Sequence, residues 1–192
     1  MRRKRDDIKR YGKLIRFIVK ISKLLPKGFY LRLLKTIRSH DNYMAMFIRL
    51  ICLKNCAKSC GNNVAIFSNV YLLRVHNLEI GDNVSIHPLC YIDASGGIII
   101  RNDVSIAHNS SILSEEHRYS DLKQNIKDQG CELKKVTIED NVWIGAGCRI
   151  LGGCYIESGS IIAAGAVVKN KVKADSIMGG VPARIIKTRR KE

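Results

Sequence analysis

The sequence predicts an all-β solenoid: a parallel β-helix of about five triangular coils, with an N-terminal α-helical arm and one protruding loop. Three observations predict it. Aliphatic residues recur every six positions, Asn, Asp and Gly gather between them, and the first 60 residues follow a helical pattern instead.

The repeat is regular. Ile138, Ile144, Ile150, Ile156, Ile162 and Val168 recur every six residues without a slip, and Ile80, Ile86, Ile92 and Ile98 do the same upstream. After a two-residue offset, Ile100, Ile106 and Ile112 resume the period. Two positions before most of these stands a small or medium side chain, as at Val84, Cys90, Val104, Ser110, Val136, Val142, Cys148, Cys154, Ser160 and Ala166. Six fits neither the α-helical period of about 3.6 nor the strand period of about 2. It fits a coil whose six-residue units each make one flat side and one corner. The large and the small residue then point inward, and successive coils stack as parallel strands about 4.8 Å apart.

The corners carry matching chemistry. GlyAsnAsn at 61–63, GlyAspAsn at 81–83, ArgAsnAsp at 101–103 and GluAspAsn at 139–141 each precede a Val. Asn, Asp and Gly tolerate left-handed backbone angles and form local side-chain turns. The polar stretch 113–135 breaks the period and reads as a loop excursion, which on a regular scaffold commonly carries function. Periodicity does not set the superhelix hand, and general topology rules favour right-handed crossovers.

The arm, residues 1–60, is amphipathic. Ile8, Tyr11, Leu14, Ile15, Ile18, Ile21 and Leu25 trace one face, and Lys9, Arg10, Lys13, Arg16, Lys20, Lys23 and Lys27 another. Pro26 is expected to end that helix, with two more over 29–38 and 43–58. The net charge of +16 divides into +14 over 1–60, −4 over 61–168 and +6 over 169–192. An acidic middle between basic ends does not describe a nucleic-acid-binding domain. The opening residues lack the apolar region of a signal peptide, and Arg49 and Lys54 interrupt the best apolar stretch, so no spanning helix is expected. Seven cysteines without an export signal imply free thiols in a reducing cytoplasm. The arm either caps the open end of the solenoid or also lays residues 1–27 on an anionic membrane surface, at the inner face of the cytoplasmic membrane. Its charge favours the second reading.

Read in order, IleGlyAspAsnVal (80–84), ValTrpIleGlyAlaGly (142–147), AlaAlaGlyAlaValVal (163–168) and GlyGlyValProAlaArgIleIleLys (179–187) resemble the hexapeptide-repeat acyltransferases. Within that family the chain is most similar to the sugar O-acetyltransferases: the maltose and galactoside acetyltransferases and the enzymes that modify capsule and exopolysaccharide. The resemblance covers about 60–192 and implies a left-handed β-helix, a homotrimer, acetyl-CoA as co-substrate and no metal. It implies the solenoid domain over 61–192, with the excursion and a basic tail.

Acetyl transfer to an alcohol requires a base near the hydroxyl, and imidazole titrates close to working pH. Among five histidines, His117 lies in the excursion, fourteen residues after Asp103, the interval the family shows between corner and catalytic histidine. His87 stands where relatives carry an acceptor-binding Asn, a departure from the family pattern. Asp93 suits acceptor contact, orientation of His117 or plain turn formation. Glu115, Glu116 and Asp121 all compete as carboxylate partners of His117. For acetyl-CoA the resemblance implies a pantetheine slot at Gly145, Ala146 and Ala164 beside Trp143, with Lys169, Asn170, Arg184 and Lys187 toward the nucleotide end. A backbone N–H at Gly145 or Ala146 is the expected oxyanion donor. Cys90, Cys148 and Cys154 occupy inward slots, and Cys52, Cys56 and Cys60 form a packing stripe on one helix face. Two other readings compete: a γ-class carbonic anhydrase, disfavoured by the tail and the lack of a ligand triad, and a non-catalytic scaffold, disfavoured by His117.

Overall fold

The computed structural model describes residues 18–189. Strands of two to four residues stack into three parallel sheets that form the faces of a prism. The first face holds Ser59–Cys60, Leu78–Ile80, Ile98–Ile100, Val136–Ile138 and Tyr155–Ile156. The second holds Ala65–Ile66, Ser85–Ile86, Ser105–Ile106, Trp143–Ile144, Ile161–Ile162 and Ser176–Gly179, to which Arg184–Thr188 adds an antiparallel edge. The third holds Tyr71–Leu73, Tyr91–Asp93, Ser111–Leu113, Arg149–Ile150 and Val167–Val168. The result is five complete coils and part of a sixth, begun where Val172 bridges to Ile156.

Every predicted inward position is buried. Ile86, Ile106, Ile144 and Ile162 form one column at 0 % exposure, and the small residues two positions earlier fill the space between columns. Burial of each such side chain contributes roughly 1.5–3 kcal/mol. The Cys90, Cys148 and Cys154 thiols lie inside and donate to the Ala107, Ala163 and Val168 carbonyls at 3.2, 3.1 and 3.2 Å. At the first-to-second corner, Asn63, Asn83, Asp103 and Asn141 adopt φ of 55°, 59°, 58° and 57°. Their side chains stack: Asn63 Nδ2 donates to Asn83 Oδ1 at 2.9 Å, and Asn83 Nδ2 to Asp103 Oδ1 at 3.0 Å. From the second coil on, the residue before each accepts from the coil above, as Asp140 Oδ1 does from the Asn102 N–H at 2.8 Å.

The two-residue offset is an enlarged corner. Ile80 pairs with Ile100 across 20 residues, whereas Ile138 pairs with Ile156 across 18. Ile98 and Ile100 share one strand and both point inward, so the extra residues sit between the third and first faces. In the first coil they form the turn Val75–Asn77. In the third coil the same corner expands into the excursion, and Ile100 still pairs in register with Ile138. Buried Ser114 closes its root: Ser114 Oγ donates to the Asp93 carbonyl at 2.7 Å, and the Ser114 carbonyl accepts from the Lys134 N–H at 2.8 Å. Beyond it Glu115–His117 and Cys131–Leu133 pair as an antiparallel ribbon.

The arm covers the open end. Helical residues run to 22, Pro26 precedes helix α1 (Lys27–Thr36), and Asn42 caps helix α2 (Tyr43–Cys56) by accepting from the Ala45 N–H at 2.8 Å. Pro26 therefore opens a helix; the one before it has already ended, because the fixed proline φ suits a helix start. Strand carbonyls of the first coil have no coil above them, and α2 supplies cations instead. Arg49, 2 % exposed, donates from Nε to the Ile66 carbonyl at 2.9 Å and from Nη1 to those of Ile37 and His40 at 2.9 and 3.0 Å. Lys54 Nζ donates to the Cys60 and Gly61 carbonyls at 3.1 and 2.8 Å. Cys52 and Cys56 are buried under this cap, with burial pushing their thiols up to about 12 and about 11. Cys60 leaves the expected helix stripe, since its residue lies in the first strand. Among the described residues no helix is long and apolar enough to cross a membrane. Arg49→Met leaves three carbonyls short of a charged donor and is expected to lower unfolding free energy by about 2–4 kcal/mol in urea titration. A loss below about 0.5 kcal/mol would show that the cap does not depend on these bonds.

Candidate active site

The predicted site residues fall into three groups. The first surrounds the excursion root. His117 lies opposite Cys131 on the ribbon, with Nδ1 3.6 Å from Cys131 Sγ, and the imidazole is exposed. Nε2 has no hydrogen-bond partner among the described residues. Of the three competing carboxylates, Glu116 binds Lys134 Nζ at 2.9 Å and Asp121 accepts from the Lys123 N–H at 2.8 Å. Glu115 is two residues from His117 and so shares its ribbon face. The nearby Cys131 thiol, and then Ser95, hold the Glu115 carboxyl below its ordinary range, and Glu115 in turn pushes the Cys131 thiol up. Asp93 Oδ1 accepts from the Ser95 N–H and hydroxyl at 3.0 and 2.7 Å, the turn-forming arrangement.

The second group lies along the second face and its corner with the third. His87 stacks on Phe67, ring centroids 4.8 Å apart. Burial, then the neighbouring His108, lowers its pKa below the ordinary imidazole value. Both rings line an open cleft of about 820 Å³ that also takes in Ser85, Ser105, Trp143 and Ile161. Trp143 points outward and is 54 % exposed. The residues one step beyond His87, in successive coils, are His108, Ala146 and Ala164. Their carbonyls are ladder acceptors or face outward, since Gly147 donates to His108 and Gly165 to Ala146 at 3.0 and 2.8 Å. Their N–H groups take no partner among the described residues. Pro88 occupies the equivalent place one coil earlier, where a missing N–H costs nothing. Gly145 is fixed by close approach: a Cβ there would stand 2.7 Å from the Ala164 nitrogen. The Gly145 N–H donates to the Ile162 carbonyl at 2.8 Å, so it is not free to serve as an oxyanion donor; the Ala146 N–H is the available one.

The third group is the basic tail. Arg184 and Lys187 are exposed on the antiparallel edge strand, which extends the sheet that carries Trp143. Lys169 and Asn170 are exposed just after the last strand of the third face. A residue that sequence reasoning passed over, Arg189, lines the cleft and donates from Nη1 to the Gly159 carbonyl at 2.5 Å. Phe67 was also passed over, although the 20-residue step places it directly before His87 in the stack. Cys131 gave no signal, because its place beside His117 depends on ribbon register. Within one chain the cleft brings together His87 and Trp143 but not His117, which leaves from a different corner of the prism. Among the described residues no three His, Cys, Asp or Glu side chains gather as a metal site would need.

The solenoid has the left-handed β-helix fold of the hexapeptide-repeat acetyltransferases. Residues 135–170 match the bacterial transferase hexapeptide (six repeats) family, and the chain is a hexapeptide-repeat protein. A putative acetyltransferase of Saccharomyces cerevisiae is 36 % identical over 131 residues, which make up 67 % of this chain and 65 % of the yeast protein. The chain thus spans just under two thirds of that relative's length. A hexapeptide-repeat-containing acetyltransferase from Vibrio cholerae superposes with a TM-score of 0.76 at 24 % identity, covering 86 % of this chain and 91 % of that one. A maltose O-acetyltransferase from Clostridium difficile gives 0.75 at 25 % identity, covering 86 % and 87 %.

Proposed function

We propose that this chain is an acetyl-CoA-dependent O-acetyltransferase acting on a hydroxyl of a sugar or saccharide precursor, with His117 as general base. The observation that carries the reading is the row of N–H groups at His108, Ala146 and Ala164 that take no partner among the described residues. Ala146 and Ala164 let an extended thiol arm lie against backbone, and their N–H groups suit its amide carbonyls. The Vibrio cholerae neighbour is also known with acetyl-CoA bound, and the Clostridium difficile neighbour acts on a sugar hydroxyl by name, which supports the choice of donor and acceptor. Trp143 flanks the arm, and the cations Lys169, Arg184 and Lys187, with Asn170, suit the nucleotide and its phosphates.

In the ternary complex the acceptor hydroxyl gives its proton to His117 Nε2 as its oxygen attacks the thioester carbonyl. The Ala146 N–H receives the oxyanion, an interaction typically worth about 3 kcal/mol when preorganised. Collapse expels the thiolate, which takes the proton back from His117. His87, its pKa lowered by burial and then by His108, contacts the acceptor. Because His117 and the N–H row occupy different corners, the proposed assembly is a homotrimer in which one protomer's excursion meets its neighbour's groove. The arm adds a membrane contact: Ile21, Leu24 and Leu25 are exposed beside Lys20, Lys23 and Lys27, and residues 1–17 lie outside the described residues.

Three measurements test this. In an acetyl-CoA consumption assay His117→Ala is expected to lower kcat by about 10² or more with acetyl-CoA affinity unchanged, while His87→Ala mainly raises the acceptor KM. Near-normal turnover in His117→Ala removes it as the base. Light scattering should give three times the 21.6 kDa chain mass, and an active monomer would overturn the shared site. Liposome flotation should require anionic lipid, weaken in high salt and vanish on deletion of residues 1–27. Equal flotation with neutral vesicles leaves the arm as a cap alone.

A further inference from the structure

One buried hydroxyl and two buried thiols stand behind the row of N–H groups. In the column of small inward residues just ahead of the third-face strands, Cys90, Ser110 and Cys148 occupy three successive coils at 0 %, 1 % and 0 % exposure. Each reaches into the coil that follows. Cys90 Sγ donates to the Ala107 carbonyl at 3.2 Å, Ser110 Oγ to the Gly145 carbonyl at 2.9 Å and Cys148 Sγ to the Ala163 carbonyl at 3.1 Å. The peptides that own these carbonyls carry the N–H groups of His108, Ala146 and Ala164, which take no partner among the described residues. Each of these peptides is trans, and a planar trans unit sets its C=O and N–H in opposite directions. A carbonyl drawn toward a buried donor therefore turns the N–H of the same peptide away from the core. The coil before the row supplies the contrast. Val70 fills the same slot there, and the corresponding peptide, His87–Pro88, has no N–H to turn.

We propose that Ser110 is a positioning residue for acetyl transfer: its hydroxyl holds the Gly145 carbonyl inward, and so aims and strengthens the Ala146 N–H that receives the oxyanion. This rests on the reading of the chain as an acetyltransferase. Ser110 Oγ is the middle of a series. It accepts from the Cys148 N–H at 3.2 Å while it donates to Gly145, so a main-chain donor, a hydroxyl and a peptide are joined by consecutive hydrogen bonds. Each bond in such a series strengthens the next by about 10–30 %, and the low dielectric of the core strengthens them all. Density drawn toward the Gly145 oxygen leaves the conjugated peptide nitrogen and makes its hydrogen a better donor. Gly145 is also held from its other side, where its own N–H donates to the Ile162 carbonyl at 2.8 Å, which limits rotation of the peptide.

The donor types divide by task. A thiol is a weak donor and a hydroxyl a stronger one. The hydroxyl stands behind the N–H that meets negative charge only in the transition state. The thiols stand behind its neighbours along the row, which are left for neutral amide carbonyls of the thiol arm.

The test is steady-state kinetics with acetyl-CoA calorimetry on the full chain. Ser110→Ala is expected to lower kcat about tenfold, with the acetyl-CoA Kd and the acceptor KM within about twofold of the parent. Ser110→Cys puts into the slot the donor that the coils on either side already hold there. It should restore kcat to about threefold below the parent, again at unchanged Kd. Ser160→Ala is the control for a lost buried hydroxyl, since Ser160 Oγ lies 2.7 and 2.9 Å from the Glu157 and Lys173 carbonyls. It should lower Tm as Ser110→Ala does and keep parental kcat. An equal loss of kcat in Ser160→Ala would make the effect one of general stability and overturn the proposal. So would a loss in Ser110→Ala confined to Kd, because the hydroxyl is argued to act on the transition state. Should the alanine variant not fold, Ser110→Cys decides alone, and parental kcat in it rejects the role. If the parent turns over and Ser110→Ala matches it, Ser110 has no such role and the acetyltransferase reading stands. If the parent neither binds nor consumes acetyl-CoA, that reading fails, and this inference with it.

Discussion

Everything in this structure depends on the hydrogen-bonded stacking of one coil on the next. Each inward isoleucine sits under its counterpart because the main-chain ladder joins coils at one strand spacing, and that ladder tolerates no slip. A slip of one residue on any face would turn isoleucines outward and corner asparagines inward. The 20-residue coils, the 18-residue coils and the excursion all respect this, because every added residue enters at one corner, where the ladder is already interrupted. The constraint also creates the fold's weakness, an end coil with carbonyls that have no partner. Arg49 and Lys54 meet it with charged donors from α2, which explains a buried arginine in an otherwise apolar interface.

The proposed donor groove is a by-product of the same stacking. At the second-to-third corner the chain turns too sharply for every N–H to stay in the ladder, so His108, Ala146 and Ala164 leave theirs without a partner among the described residues, one per coil. A repeating ligand backbone finds a repeating row of donors, and small side chains leave the row open. Gly145 shows how tight the arrangement is, since even a methyl group there would collide with the next coil's backbone. The groove is therefore specified by absences, of side-chain bulk and of ladder partners, more than by any reactive group.

That distinction explains what the sequence disclosed and what it withheld. The six-residue period located the inward residues, including the cysteines that pack, because burial acts on every repeat in the same way. The corner residues were legible for a similar reason, as positive φ selects Asn, Asp and Gly. The offset at Ile98 was visible as a break but not as an enlarged corner, since periodicity records position and not the path between faces. Coil count fell short of the partial sixth coil because Val172 enters through a single bridge. At the site, His117 stood out through its place in the excursion, and Trp143, Ala146 and Ala164 through their motifs. Cys131, Ser114 and the pairing of Glu116 with Lys134 did not. All of these follow from the pairing register of a short ribbon outside the repeat, which no periodic signal encodes.

The ribbon also accounts for the location of the candidate base. A residue within a coil either points into the core or stands in an outward column whose direction the stack fixes. Neither suits a base that must meet a hydroxyl across a groove. The ribbon escapes the stack but remains anchored to it, because Ser114 ties its root to Asp93 above and to Lys134 on its return. His117 is thus three residues from a fully buried anchor and yet fully clear of the core. A free loop would reach as far without holding the ring, and a coil position would hold the ring without reaching. The antiparallel pair supplies both.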